Sequence, residues 1–384
     1  MRFCGRAALG VLGYCVCATS LAWCQQESDT VLHHAIQLHR SGDLAGAISE
    51  YRNYLNQSPD NVAARSNLGA ALAAEGQFED AIAEYRKALE LQPANQPVRL
   101  NLALAYYKSA QIAPAATELE RVVSAAPSER QPLLLLADCY LQLGQHKKVI
   151  DLLSPHEQDS PDDKAVDYML GTALVRDNQT AHGQLLIDRL LRDGDSAEAH
   201  LLSAEAKMAA LDFAGAIEQC KKAAQLNSRL PDLYGVYGLA LVSMGELPEA
   251  EDAFRKELES DPNDYTANAQ LGALLKQDEN YPESRQLFDR ALRVRPHDAA
   301  ARYQLAILDL REGRAEQARA ELESLVQENP RFVPAHITLA TVYYKLKRKA
   351  DGNHERAIVL RINSENQAAS GADQVANRAG APPK

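Results

Sequence analysis

The chain has 384 residues, with 41 lysines and arginines against 52 aspartates and glutamates, and a formal net charge of −11. This acidic balance argues against nucleic acid as a partner, because binding to phosphate groups needs a basic surface. Four of the six cysteines lie within the first 24 residues, so the rest of the chain carries no disulfide framework.

Residues 1–24 differ in character from everything that follows. Arg2 and Arg6 give a positive start, and residues 7–22 are almost entirely apolar or small. This order is typical of a secretory signal peptide. We therefore expect an exported protein, periplasmic or secreted. The alternative is a lipid anchor in the envelope, and membrane contact is expected only if Cys24 is lipidated or the segment is left uncleaved.

The stretch 62–95 predicts a pair of amphipathic helices, since its apolar and small residues recur three or four positions apart. Gly76 is placed to end the first helix, because glycine readily adopts the left-handed conformation that closes a helix. Pro93 stops the second helix, and Asn95 is then available to cap the next one. The stretch therefore predicts one helix–turn–helix unit.

This unit recurs along the chain with a period of 34 residues. Helix-ending prolines keep the period at Pro59, Pro93, Pro127, Pro161, Pro262, Pro296 and Pro330. Small residues stand at the eighth position, where two helices must cross closely: Ala35, Gly69, Ala103, Ala137, Gly171, Ala204, Gly238, Gly272, Ala306 and Ala340. The twentieth position is also small in most units, as at Ala81. The twenty-fourth position is occupied by Tyr51, Tyr85, Leu119, Leu153, Ile187, Cys220, Phe254, Phe288 and Leu322.

This pattern of Leu-Gly, Tyr, Ala, aromatic, Ala and Pro resembles the tetratricopeptide repeat family over roughly residues 28–350. The resemblance implies an all-α, right-handed superhelical solenoid of tandem helix-turn-helix repeats. We place the array at residues 28–366, as nine full repeats followed by a degenerate tenth with a polar capping helix. Residues 367–384 are expected to be disordered, because they contain too few large apolar residues to fold.

No group of residues in the sequence predicts catalysis, a metal site or a cofactor. The ten histidines are scattered, and neither a His-Glu-x-x-His motif, a glycine-rich phosphate loop nor a Gly-x-Ser-x-Gly turn occurs. We interpret the chain as a protein that is not an enzyme and that needs no cofactor.

The resemblance instead implies binding, because the first helices of such repeats line a concave groove. Asn67 and Asn101 stand at the sixth position of consecutive repeats. An asparagine amide both donates and accepts hydrogen bonds, so two in register suit the backbone of an extended peptide. Arg40, Lys108 and Arg176, at the thirteenth position, suit a carboxylate. We expect these five residues to form a peptide-binding groove.

The sequence therefore predicts an extracytoplasmic scaffold that binds peptide segments of partner proteins and leaves its own oligomeric state open. The alternative is a holdase-like assembly factor or chaperone of the cell envelope with many weak clients. That alternative depends on an apolar run in the middle of the groove, made of Leu134, Leu135, Tyr168, Met169, Leu201 and Leu202.

Overall fold

The computed structural model describes residues 30–159, 163–192 and 195–379, and the segment interpreted as a signal peptide lies outside them. All regular structure in the described residues is helical. In chain order the helices are α1 (30–41), α2 (Leu44–Gln57), α3 (Val62–Ala74), α4 (Phe78–Leu91), α5 (Gln96–Lys108), α6 (Ile112–Ala125), α7 (Arg130–Gln142), α8 (His146–Asp159), α9 (Lys164–Arg176), α10 (Thr180–Leu190), α11 (Ala197–Ala209), α12 (Phe213–Leu226), α13 (Leu233–Met244), α14 (Leu247–Ser260), α15 (Tyr265–Gln277), α16 (Tyr281–Val294), α17 (Ala299–Arg311), α18 (Ala315–Glu328), α19 (Val333–Lys345) and α20 (Lys349–Ala379).

The contacts divide the chain into two compact units, Met1–Leu152 and Leu153–Lys384. In the first unit α3 packs against α4 and α5 against α6, while α2 contacts α3, and α4 contacts α5. In the second unit the same order continues from α9 to α20. Each unit is a stack of helix pairs, which confirms the expected all-α class and the tandem helix-turn-helix repeats.

The turn inside each pair contains one residue in the left-handed region. Glycine occupies this place at Gly42, Gly76, Gly144, Gly245 and Gly313. The other pairs place Ala110, Asn178, Leu211, Glu279 and Lys347 there, with φ between 60° and 62°. A side chain in this conformation costs about 1–2 kcal/mol, so the fold imposes the turn even where the residue disfavours it.

Most of the first helices have a polar residue at the N-cap position. Asn61 accepts a hydrogen bond from the N–H of Ala64, and Asn95 accepts one from Val98. Asp298 does the same for α17 through the N–H of Ala301. These caps satisfy backbone donors that have no partner within the helix, and this fixes where each helix starts.

The eighth and twenty-fourth positions of a pair meet in its core. A Cβ atom on Gly69 would lie 2.7 Å from the ring of Tyr85, and one on Gly238 would lie 2.5 Å from that of Phe254. At Gly272 the contact with Phe288 would be looser, at 3.2 Å. Ala81 and Gly171 are also buried, the latter beneath Leu202 of the next pair.

The last helix extends beyond residue 366, the expected end of the repeat array, and continues to Ala379. Alanines recur in this segment, and alanine has the highest helix propensity. Residues 380–384 lie outside the described part.

Candidate functional site

Four of the five predicted groove residues belong to the first unit. Asn67 lies in α3 and Asn101 in α5, both half-buried at the sixth position of their pairs, and α3 contacts α5. Arg40 is near the end of α1 and Lys108 is the last residue of α5, and both are exposed. The helix contacts therefore place the two asparagines on neighbouring first helices.

A depression of about 350 Å³ lies between α3 and α5, and two of these residues line it. Its lining consists of Ala70, Ala73, Ala74, Phe78, Tyr85, Asn101, Leu104, Ala105 and Lys108. Within the described part of the chain, neither the Asn101 amide nor the Lys108 ammonium group has a hydrogen-bond or ion-pair partner. The depression therefore combines an apolar floor with one neutral and one cationic group that are available to a ligand.

Asn67 lies near the hydroxyl group of Tyr51, which is 3.5 Å from Nδ1 of His39. Burial raises the pKa of Tyr51, while the charge of Arg40 and the neighbouring Asn67 amide lower it. An amide has two donor hydrogens and an acceptor oxygen, so Asn67 retains hydrogen-bonding capacity for a ligand.

A tyrosine precedes each of the two asparagines by sixteen residues, and sequence reasoning missed this pairing. Asn67 influences the pKa of Tyr51, and Tyr85 lines the depression together with Asn101. Burial raises the pKa of Tyr85 to about 12, so its hydroxyl group remains protonated at neutral pH. The repeated spacing of sixteen residues between tyrosine and asparagine is the signal in the sequence that could have revealed this pairing.

Arg176 has a different role. It lies in the second unit, where its Nε and a terminal nitrogen donate to the two carboxylate oxygens of Glu205 at 3.2 and 2.7 Å. A further contact of 3.3 Å reaches Asp232. Burial raises the pKa of Glu205, and the neighbouring guanidinium group opposes that shift. The guanidinium group of Arg176 is already paired with carboxylates of the chain itself. Arg176 is therefore not part of the candidate site.

The second unit contains a cluster of carboxylates around the buried Glu257, which sequence reasoning missed. Glu257 accepts hydrogen bonds from the backbone N–H groups of Asp232, Tyr234 and Gly235, at 3.0, 2.8 and 3.2 Å. Burial and the charge of Asp232 raise the pKa of Glu257 to about 7, although the three donors lower it. Asp264 caps α15, and burial raises its pKa to about 8. Capping accounts for the position of both acids.

No other chemistry stands out in the part of the chain that the structure describes. There, no three histidine, cysteine or acidic side chains are arranged to hold a metal ion, and no helix is long and apolar enough to cross a bilayer. Cys139 and Cys220 are buried free thiols, and burial raises the pKa of both.

The apolar run in the middle of the expected groove is not an exposed patch. Leu201 and Leu202 have no exposed surface, because they pack inside the core of the second unit. The remaining members, Leu134, Leu135, Tyr168 and Met169, are half-buried. The observation on which the holdase alternative depends is therefore missing.

Two family models agree with this architecture. One family model described as tetratricopeptide repeat matches residues 72–132 and 275–331, and a second with the same description matches 34–96 and 237–299. Together they cover half of the chain. A solved structure titled "MamA RS-1 ArsTM double mutant" is 20% identical over 45% of this chain and 97% of that one, with a TM-score of 0.42. No curated protein gives a significant match.

Proposed function

We propose that this chain, which belongs to the tetratricopeptide repeat family and is thus a protein–protein interaction scaffold, acts outside the cytoplasm and binds a peptide segment of its partner. The binding site is the depression between α3 and α5, extended by Asn67 and Arg40. The proposal assigns the chain no catalytic activity and no cofactor.

The depression itself is the observation that carries the proposal. Its apolar floor suits one aliphatic side chain, and the unpartnered Asn101 amide suits the backbone beside that side chain. Lys108, at the edge, suits a carboxylate. The ligand that fits is an extended segment with an apolar residue next to an acidic residue or a terminal carboxylate.

The extracytoplasmic part of the proposal depends on the signal-peptide pattern of residues 1–24. Cleavage after this segment gives a periplasmic or secreted protein. Lipidation of Cys24 gives the same repeat array attached to the envelope.

Selection of peptides from a random library displayed on phage tests the binding site. The full chain serves as bait, and the affinity of the selected peptides is then measured by calorimetry. We expect the peptides to share an apolar residue beside an acidic one. The double variant Asn67→Ala/Asn101→Ala is expected to bind the selected peptides at least about tenfold more weakly, since two amide contacts to the peptide are lost.

The matched control is Asn53→Ala/Asn56→Ala, which removes two exposed asparagines from α2. This control is expected to bind like the wild type, and Lys108→Glu is expected to bind more weakly because it repels the acidic residue. Equal loss in both double variants, or selected peptides without the shared pattern, contradicts the proposal.

A further inference from the structure

A second surface lies at the C-terminal end of the helix stack, far along the sequence from the proposed groove. It is a depression of about 400 Å³ between α19 and α20. We call it the end surface, and its lining is Ile337, Ala340, Thr341, Tyr344, Arg356, Val359 and Leu360. Ile337 is 52% exposed and Leu360 is 69% exposed. This side of the predicted cap therefore carries exposed apolar side chains.

The preceding pair shows what such a surface packs against. The residues of α17 and α18 at the corresponding positions form one core cluster with α19: Tyr303, Ala306, Leu310, Leu322, Leu325 and Val326. The covering helix contributes Ala335, Leu339, Val342 and Tyr343, spaced as one apolar stripe. The end surface repeats the covered positions, so an amphipathic helix is the shape that fits it.

One residue distinguishes the end surface from the covered one. The twenty-fourth position is buried in each of the other nine pairs, from Tyr51, which is 1% exposed, to Leu322, with no exposed surface. In the last pair the same position is Arg356, which is exposed. Among the described residues Arg356 has no ion-pair partner.

Arg356 is the one charged residue in the lining of the end surface. Two acidic residues earlier in α20 already have partners: Asp351 accepts from Nε of Arg348 at 2.7 Å, and Glu355 lies 2.5 Å from Nδ1 of His336. The lining of the end surface is therefore positively charged. A covering helix binds most tightly if it places an acidic residue opposite Arg356, because burying a cation without a partner is unfavourable.

We infer that the end surface is a docking site for an acidic amphipathic helix of a partner protein, which takes the place that a further repeat helix would occupy. Two copies of this chain do not fit each other in the same way. Symmetric contact through the end surface brings together two copies of the same cationic face, each with an Arg356 that lacks an acidic partner there, and this repulsion is unfavourable. The inference is independent of the proposed peptide groove.

Two synthetic helical peptides test the inference. Both carry the apolar stripe copied from Ala335, Leu339, Val342 and Tyr343, and the remaining positions are rich in glutamate in one peptide and in lysine in the other. Binding to the full chain is measured by fluorescence anisotropy. We expect the acidic peptide to bind about tenfold more tightly than the basic one. Arg356→Glu is expected to reverse this preference.

Leu360→Asp is expected to lower the affinity for the acidic peptide at least about tenfold, because it places a charge in the apolar contact. Leu185→Asp, at a residue of α10 that is 63% exposed, is the matched control and is expected to leave binding unchanged. Absence of binding, or equal binding of both peptides to the wild type and to Arg356→Glu, overturns the inference. A dimer in sedimentation that Leu360→Asp dissociates also overturns it, since a second copy then covers the surface.

Discussion

The guanidinium group of Arg176 contacts both carboxylate oxygens of Glu205, across the 29 residues that separate them in the chain. The Glu205 side chain is only 6% exposed, whereas that of Arg176 is 28% exposed. An acid buried to this extent needs a partner for its charge. A basic residue at a position that suggests ligand binding thus stabilises the fold instead.

Replacing Arg176 by methionine is expected to lower the free energy of unfolding by about 3 kcal/mol, because it leaves Glu205 buried without its partner. Urea unfolding followed by circular dichroism measures the change. Arg40→Met, at an exposed residue, is the control and is expected to change stability by less than about 0.5 kcal/mol. The double variant Arg176→Met/Glu205→Leu is expected to recover most of the loss. Equal effects of Arg176→Met and Arg40→Met contradict the structural role.

The raised pKa of Glu257 predicts that the stability of the folded chain decreases as the pH rises. Its pKa in the folded chain, about 7, lies above the usual value of 4.5, so between these values the folded chain retains a proton that the unfolded chain releases. The free energy of unfolding should therefore fall from about pH 5 to about pH 7 relative to Glu257→Gln, which cannot titrate. The expected difference is about 1–3 kcal/mol.

Thermal and urea unfolding at both pH values measure this difference. Glu259→Gln, an exposed position on the same helix α14, is the control and is expected to show no such change. If stability instead rises with pH relative to Glu257→Gln, the three backbone donors outweigh burial and the predicted sign is wrong.

Gly238 and Gly272 occupy equivalent positions and should respond differently to alanine. At Gly238 the new methyl group meets the buried ring of Phe254 at 2.5 Å, and overpacking of this kind costs about 1–3 kcal/mol. At Gly272 the contact with Phe288 is 3.2 Å, so the gain in helix propensity, about 1 kcal/mol, offsets most of the cost. We expect destabilisation only at Gly238.

Urea unfolding of the two single variants checks this expectation. The double variant Gly238→Ala/Phe254→Leu is expected to be less destabilised than the sum of its single changes, because the smaller side chain makes room for the methyl group. Additive effects, or equal losses at Gly238 and Gly272, contradict the packing argument.

The sequence by itself determined the repeating helix pair. The 34-residue period places first helices at residues 62, 96, 130 and 164, which are also where α3, α5, α7 and α9 begin. This works because nearly all pairs bury the same positions against their neighbours, and most first helices begin with a polar cap. Even a leucine, Leu211, adopts the left-handed turn that the period requires.

Only the tertiary structure decided which polar side chains are free to bind and which are already paired. The sequence treats Lys108 and Arg176 alike, yet one lines an open depression and the other neutralises Glu205. It also gives no sign that Leu201 is buried or that Arg356 faces an uncovered apolar surface. The periodic pattern defines the face of each helix, but the partner of a side chain depends on the neighbouring helix that packs across it.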